Sequence, residues 1–194
     1  MRVLGIAGSP RRGGNTDLLL VEVMRGAASQ GAEVKTIILD ELDIAPCQHC
    51  DTCLKKGKCK IQDDMQMIYR ELEQADRIVL ASPVHFMGVS AQMKAMIDRC
   101  QALWARKYVL KQPPLRDRRE RKGLFISVAG RKVANVFDGS VATIKSLFTV
   151  MDVIYAGDLL FRNIDEKGDI TKHPEALRQA FLAGQKLVTD VPAE

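Results

Sequence analysis

Apolar residues along this chain gather into five short runs, separated by longer stretches where they recur every three or four positions. The runs at 3–7, 33–39, 77–82, 123–129 and 153–160 read as strands. Between them, Leu18, Leu19, Val21 and Met24 keep helical spacing over 17–28. Asp63-Asp64 caps a helix whose apolar face is Met65, Ile68, Leu72 and Ala75. Further helices are expected at 90–104, at 139–150, and from Lys172-His173-Pro174-Glu175 to 188, with Pro174 suited to a first turn. Strands alternating with helices predict an α/β fold, a single doubly wound five-stranded parallel sheet in one domain, 1–194. In such a sheet the loops leaving the strands line a crevice at their carboxyl ends. The sequence's oddities fall in those loops: a glycine-rich turn, a cysteine segment, a proline–glycine loop, and Ala129-Gly130-Arg131.

Composition changes this picture little. The chain has 194 residues, 46% hydrophobic and 27% charged, ordinary for one soluble domain. No apolar run approaches bilayer-spanning length, and the N-terminal run is too short for a signal peptide, so a cytoplasmic, reducing location is expected. Charge is uneven. The stretch 105–122 holds eight basic residues against Asp117 and Glu120, a net +6 within a chain of net +5. With Pro113-Pro114 inside, it reads as an irregular loop, either solvated or a docking surface for an acidic partner or anionic ligand. Nucleic acid is disfavoured, because only Tyr108 interleaves with the charges.

Cys47, Cys50, Cys53 and Cys59 fall in thirteen residues with C-x2-C-x2-C-x5-C spacing, inside a loop at 43–63 of the long connection 40–63. Such spacing suits the corners of one iron–sulfur cube, with Gly57 turning the chain back to bring in Cys59. Four plain thiols, a zinc site borrowing His49, and a disulfide pair are the alternatives.

The first loop lacks the spacing of the common nucleotide fingerprints but has the parts of a phosphate cradle. Gly13-Gly14 allow close approach, a helix N-terminus follows, and Ser9, Arg11, Asn15 and Thr16 offer polar groups. An unliganded polar turn is the plainer reading, and Arg12 reads as solvated. Pro83, Val84, His85, Phe86, Met87 and Gly88 suit contact with a flat ring, or else a buried turn with His85 outside. Asp98-Arg99 reads as a surface ion pair, Cys100 and Trp104 as packing residues, and His173 as solvated.

Gly8-Ser9-Pro10-Arg11 with Asn15-Thr16, the run 82–88, and Gln92-Met93-Lys94-Ala95 with Ile97-Asp98-Arg99 resemble the NADPH-dependent FMN reductase family. Adding the cysteine motif, Gly157-Asp158-Leu159-Leu160-Phe161 and Asp165-Glu166-Lys167-Gly168, the chain most resembles that family's iron–sulfur flavoprotein branch. The resemblance implies a flavodoxin-like fold. It implies FMN, with Ser9, Arg11, Asn15 and Thr16 on its phosphate, the 83–88 loop on its ring, and Ala129 and Gly130 also in the cofactor site. It also implies a [4Fe–4S] cluster on Cys47, Cys50, Cys53 and Cys59. His85 departs from the tyrosine that relatives often carry. The expected function is electron transfer from a one-electron donor, such as a ferredoxin, through the cluster to FMN and on to a small-molecule acceptor. The expected assembly is a homodimer or homotetramer. A cluster-free NAD(P)H-dependent FMN or quinone reductase is the alternative, and a non-catalytic basic binding module a third.

Overall fold

The computed structural model describes residues 1–189. Five strands, β1 (Arg2–Ala7), β2 (Glu33–Ile38), β3 (Arg77–Pro83), β4 (Arg121–Ala129) and β5 (Val153–Arg162), pair in parallel in the order β2-β1-β3-β4-β5. This is the flavodoxin-like arrangement. The inner strands are buried almost throughout, as unbroken apolar runs covered on both faces should be. Alternate residues feed two cores. Leu4, Ile6, Ile78, Leu80 and Phe125 meet one helix layer, and Val3, Ala7, Val79, Ala81, Leu124 and Ile126 meet the other.

Seven α-helices are described: α1 (Asn15–Ser29), α2 (Thr52–Lys56), α3 (Met65–Gln74), α4 (Ala91–Arg99), α5 (Gln101–Trp104), α6 (Asp138–Met151) and α7 (Pro174–Thr189). Helices α1 and α7 pack together on one face. Their backbones nearly touch: a Cβ on Gly26 would lie 2.0 Å from the Phe181 carbonyl oxygen, and one on Gly184 would lie 2.0 Å from that of Val23. No helix among the described residues is long and apolar enough to cross a membrane.

Four expectations are corrected. The first helix starts at Asn15 rather than Asp17. The connection 40–63 contains the short helix α2. The helix after β3 breaks at Cys100 and resumes as α5. The segment 105–122 is not wholly irregular: Ala105–Val109 is a π-turn, and β4 already begins at Arg121. The apolar pattern hid that last feature because arginine opens the strand. Arg121 is nonetheless buried, donating from Nε to the Ala75 carbonyl at 3.0 Å and from Nη2 to the Glu73 carbonyl at 3.0 Å.

Much of the charge in that segment is matched. Arg106 and Arg116 pair with Glu73, Arg119 with Asp76 and Asp117, Arg121 with Asp117, and Lys107 with Asp152. It lies beside Arg121 and Asp152, at the amino-terminal ends of β4 and β5. One irregularity marks the edge of the sheet. Gly123 faces Tyr155 but Leu124 faces Gly157, so Ala156 bulges from β5.

Candidate functional site: an anion cradle and a sulfur pocket

Strand order reverses between β1 and β3, which opens a crevice at their carboxyl ends. The glycine-rich loop after β1 forms its floor. Gly8 donates to the Ala81 carbonyl at 2.8 Å, and the Ser9 hydroxyl accepts from Arg11 N–H at 3.1 Å. Gly13 turns with φ +64, and its N–H bonds to an Asp17 carboxylate oxygen at 2.9 Å. Gly14 is the N-cap of α1 and supplies no capping side chain. Among the described residues, the N–H groups of Asn15 and Thr16 therefore have no intrachain acceptor. Unfilled donors at a helix N-terminus, with Arg11 beside them, form a cradle for an anion.

Buried serines lock this loop to the next. Ser90 donates to the Gly8 carbonyl and accepts from Met93 N–H at 3.2 Å, while Ser82 accepts from Ser90 N–H at 2.9 Å. Neither serine was anticipated as a site residue.

The resulting cleft encloses about 270 Å³, near the lower end of the roughly 300–1,000 Å³ of small-molecule sites. Of the residues named from the sequence, Ser9, Arg11, Asn15, Thr16, Pro83, Val84, His85 and Gly130 line it. Phe86, Met87, Gly88 and Ala129 do not. Ala129 is buried in β4, and its carbonyl accepts from Ile164 N–H at 3.2 Å. His85 and Gly88 exchange two backbone bonds of 2.9 Å, closing a hairpin with Phe86 and Met87 at its tip. Both tip residues have positive φ, +48 and +65, and both are exposed. Glycine or asparagine is the usual choice there, and bulkier residues carry strain on the order of 1–3 kcal/mol each.

The segment after β5 completes the wall through Ile164, Asp165 and Lys167, none of which was anticipated as a site residue. Its available signals were its place after a strand's carboxyl end and the run Asp165-Glu166-Lys167-Gly168 that carried part of the resemblance. Asn15 holds it there: the amide donates to the Glu166 carbonyl at 2.9 Å and accepts from Ile170 N–H at 3.1 Å. The lining thus divides into polar groups, Arg11 and the residues of the helix N-terminus among them, and the apolar Pro83, Val84, Val128 and Ile164. A molecule with a phosphate at one end and a flat ring at the other, such as FMN, fits that division.

The cysteine loop lies apart. Cys47, Cys50, Cys53 and Cys59 line one small pocket of about 30 Å³ with Arg99, Gln101 and Ala102, and it shares no residue with the cleft. The expectation that this loop meets the others at one rim is corrected here. The reason is Arg99, which was read as half of a surface pair. Asp98 instead pairs with Lys94 at 2.7 Å, and Arg99 turns inward. Its buried guanidinium grips both oxygens of Asp63 at 2.6 and 3.0 Å, and donates to the carbonyls of Ala45 at 2.7 Å and Ile61 at 3.4 Å. Both ends of the cysteine segment are thereby fastened to α4.

Gly57 closes α2 at φ +62, where a Cβ would lie 2.7 Å from Arg106 Cγ. Among the described residues, no three His, Cys, Asp or Glu side chains form a group for a single metal ion. A cubane takes one thiolate per iron and does not require convergence on a single ion. Burial pushes the Cys53 thiol up, and its three neighbouring cysteines add to that; hydrogen bonds from Thr52 lower Cys50. Burial pushes Cys100, the residue after Arg99, up to about 12.

The profile of the NADPH-dependent FMN reductase family matches residues 1–162. An iron–sulfur flavoprotein of Methanosarcina thermophila is 31% identical over 90% of this chain and 84% of its own. The chain belongs to the iron–sulfur flavoprotein branch of the NADPH-dependent FMN reductase family. An iron–sulfur flavoprotein of Methanocaldococcus jannaschii is 46% identical over 53% of this chain and 53% of its own, so the match spans about half the length of that relative. In fold the chain is similar to an NAD(P)H:quinone oxidoreductase of Methanothermobacter marburgensis, with a TM-score of 0.70 at 15% identity, over 100% of this chain and 99% of the other.

Proposed function

We propose that this protein is an FMN-dependent oxidoreductase that passes electrons between a one-electron donor and a small acceptor, using FMN and a [4Fe–4S] cluster. The observation that carries this reading is the pairing of two distinct, chemically suited sites in one chain. FMN belongs in the cleft, with its phosphate at the N–H groups of Asn15 and Thr16, the Ser9 hydroxyl and Arg11, and its ring toward Pro83, Val84 and His85. The cluster belongs on Cys47, Cys50, Cys53 and Cys59. When bound, the cluster supplies single-electron chemistry and the flavin stores electrons in pairs.

The chain's own residues bind and orient. Asn15 keeps the segment after β5 against the cleft, the serine pair fixes the spacing of the first and third loops, and Arg99 with Asp63 holds the cysteine segment closed. Lys55, Lys56, Lys58 and Lys60 stand exposed around the sulfur pocket, a surface that suits an acidic, ferredoxin-like donor. That the cleft and the sulfur pocket share no lining residue supports a homodimer or homotetramer in which the cluster of one subunit serves the flavin of another.

Anaerobic purification should yield about four irons and one FMN per chain. Protein with full FMN and no iron would instead favour the second reading, a reductase taking hydride directly from NAD(P)H. That reading draws on the same separation, because a cleft with no cysteine in its wall does not require the sulfurs.

A further inference from the structure

Arg99 has one more donor than the fold uses. Its terminal nitrogens are occupied by Asp63, Ala45 and Ile61, but Nε is buried and, among the described residues, has no hydrogen-bond partner. An orphaned buried donor is costly and calls for an explanation. The explanation lies in what the side chain faces. Arg99 lines the four-cysteine pocket, and after Asp63 the Cys59 sulfur is its next electrostatic partner. Asp63 does not line that pocket. The ion pair therefore turns its positive end toward the sulfurs and its negative end away. Four neutral thiols give such a cation little to bind, whereas four thiolates around iron give it both charge and acceptors.

We propose that Arg99 sets the reduction potential of the group held by the cysteines, an inference that rests on the cluster reading above. Adding one electron from an external one-electron reductant makes that group more negative without changing its ligands. A fixed guanidinium and a spare N–H at the sulfurs stabilise the reduced form over the oxidised one, since net charge and hydrogen bonds to sulfur govern such potentials. Asp63 moderates the effect from behind. Arg99 is a tuning residue rather than a ligand, and its charge is permanent across the accessible pH range.

The test is an anaerobic redox titration, followed by electron paramagnetic resonance, of protein reconstituted with iron and sulfide. Arg99→Gln should disfavour the reduced form at least tenfold, equivalent to about 59 mV more negative for one electron. Arg99→Lys, which keeps the charge, should recover part of that loss. Asp63→Asn, which removes the opposing charge, should shift the potential the other way. A purely structural clamp would move the Gln and Asn variants together or not at all, and either result overturns the inference. Should Arg99→Gln assemble no cluster, Asp63→Asn decides alone, an unchanged or more negative potential being fatal. Wild-type protein that binds no iron would instead refute the cluster reading itself, before any variant is compared.

Discussion

Replacing Asn15 with alanine removes two hydrogen bonds that hold the segment after β5 against the cleft. Each such bond contributes about 0.5–1.5 kcal/mol. FMN affinity should therefore fall on the order of tenfold, the equivalent of about 1.4 kcal/mol, in a fluorescence titration. The amide type and position were legible from the loop pattern, but its partners were not, because Glu166 and Ile170 lie 151 and 155 residues away. Cys100 gives a second outcome. With its pKa pushed up to about 12 by burial, it stays a protonated, enclosed thiol, so alkylation of iron-free native protein at about pH 8 should label four of the five cysteines. Mass mapping that finds Cys100 modified without unfolding would contradict its placement.

At the scale of elements, the contact of α1 with α7 is set by two glycines. Gly184→Ala forces a methyl group into the Val23 carbonyl, an overpacking cost of about 1–3 kcal/mol readable as a lower denaturation midpoint. The cysteine segment responds to acid. Burial alone would raise the Asp63 carboxyl, but hydrogen bonds from Arg99 and from the Ala45 and Met65 N–H groups outweigh it and hold the group below its usual range. Stability from a depressed carboxyl is present above its unfolded pKa of about 3.9 and is lost as pH falls through the lower folded value. Iron-free protein should thus lose this contribution below about pH 4, and Asp63→Asn should flatten that part of the acid-unfolding curve. Periodicity located the strands and every long helix because β1, β3 and β4 bury nearly unbroken runs and each long helix buries a stripe; the outer strands β2 and β5 are largely exposed or half-buried and were legible from β-branched and apolar residues alone. It missed α2, which has five residues and no buried one, and the π-turn, which lies in a stretch dominated by charge.

Across the whole molecule, loop order correctly placed the anion cradle and the third loop at one crevice but misjudged the cysteine loop. A charged residue at a helix end carries no sign of turning inward, so the Arg99–Asp63 clasp was invisible until the fold was known. The separation it creates predicts complementation. A chain with Cys47→Ser and Cys53→Ser, mixed with one carrying Arg11→Ala and Thr16→Val, should recover donor-driven reduction of bound FMN that neither shows alone. Absence of recovery in a verified mixed oligomer would place transfer within one subunit.

The extra residue at Ala156 bears on how the protein behaves in concentrated solution. The outer strand β5 has ten residues and, among the described residues, no strand pairs with its outer border. The kink makes that border uneven, so an incoming segment cannot lie flat along it. Removing Ala156 would straighten the border and leave a molecule that folds yet clumps.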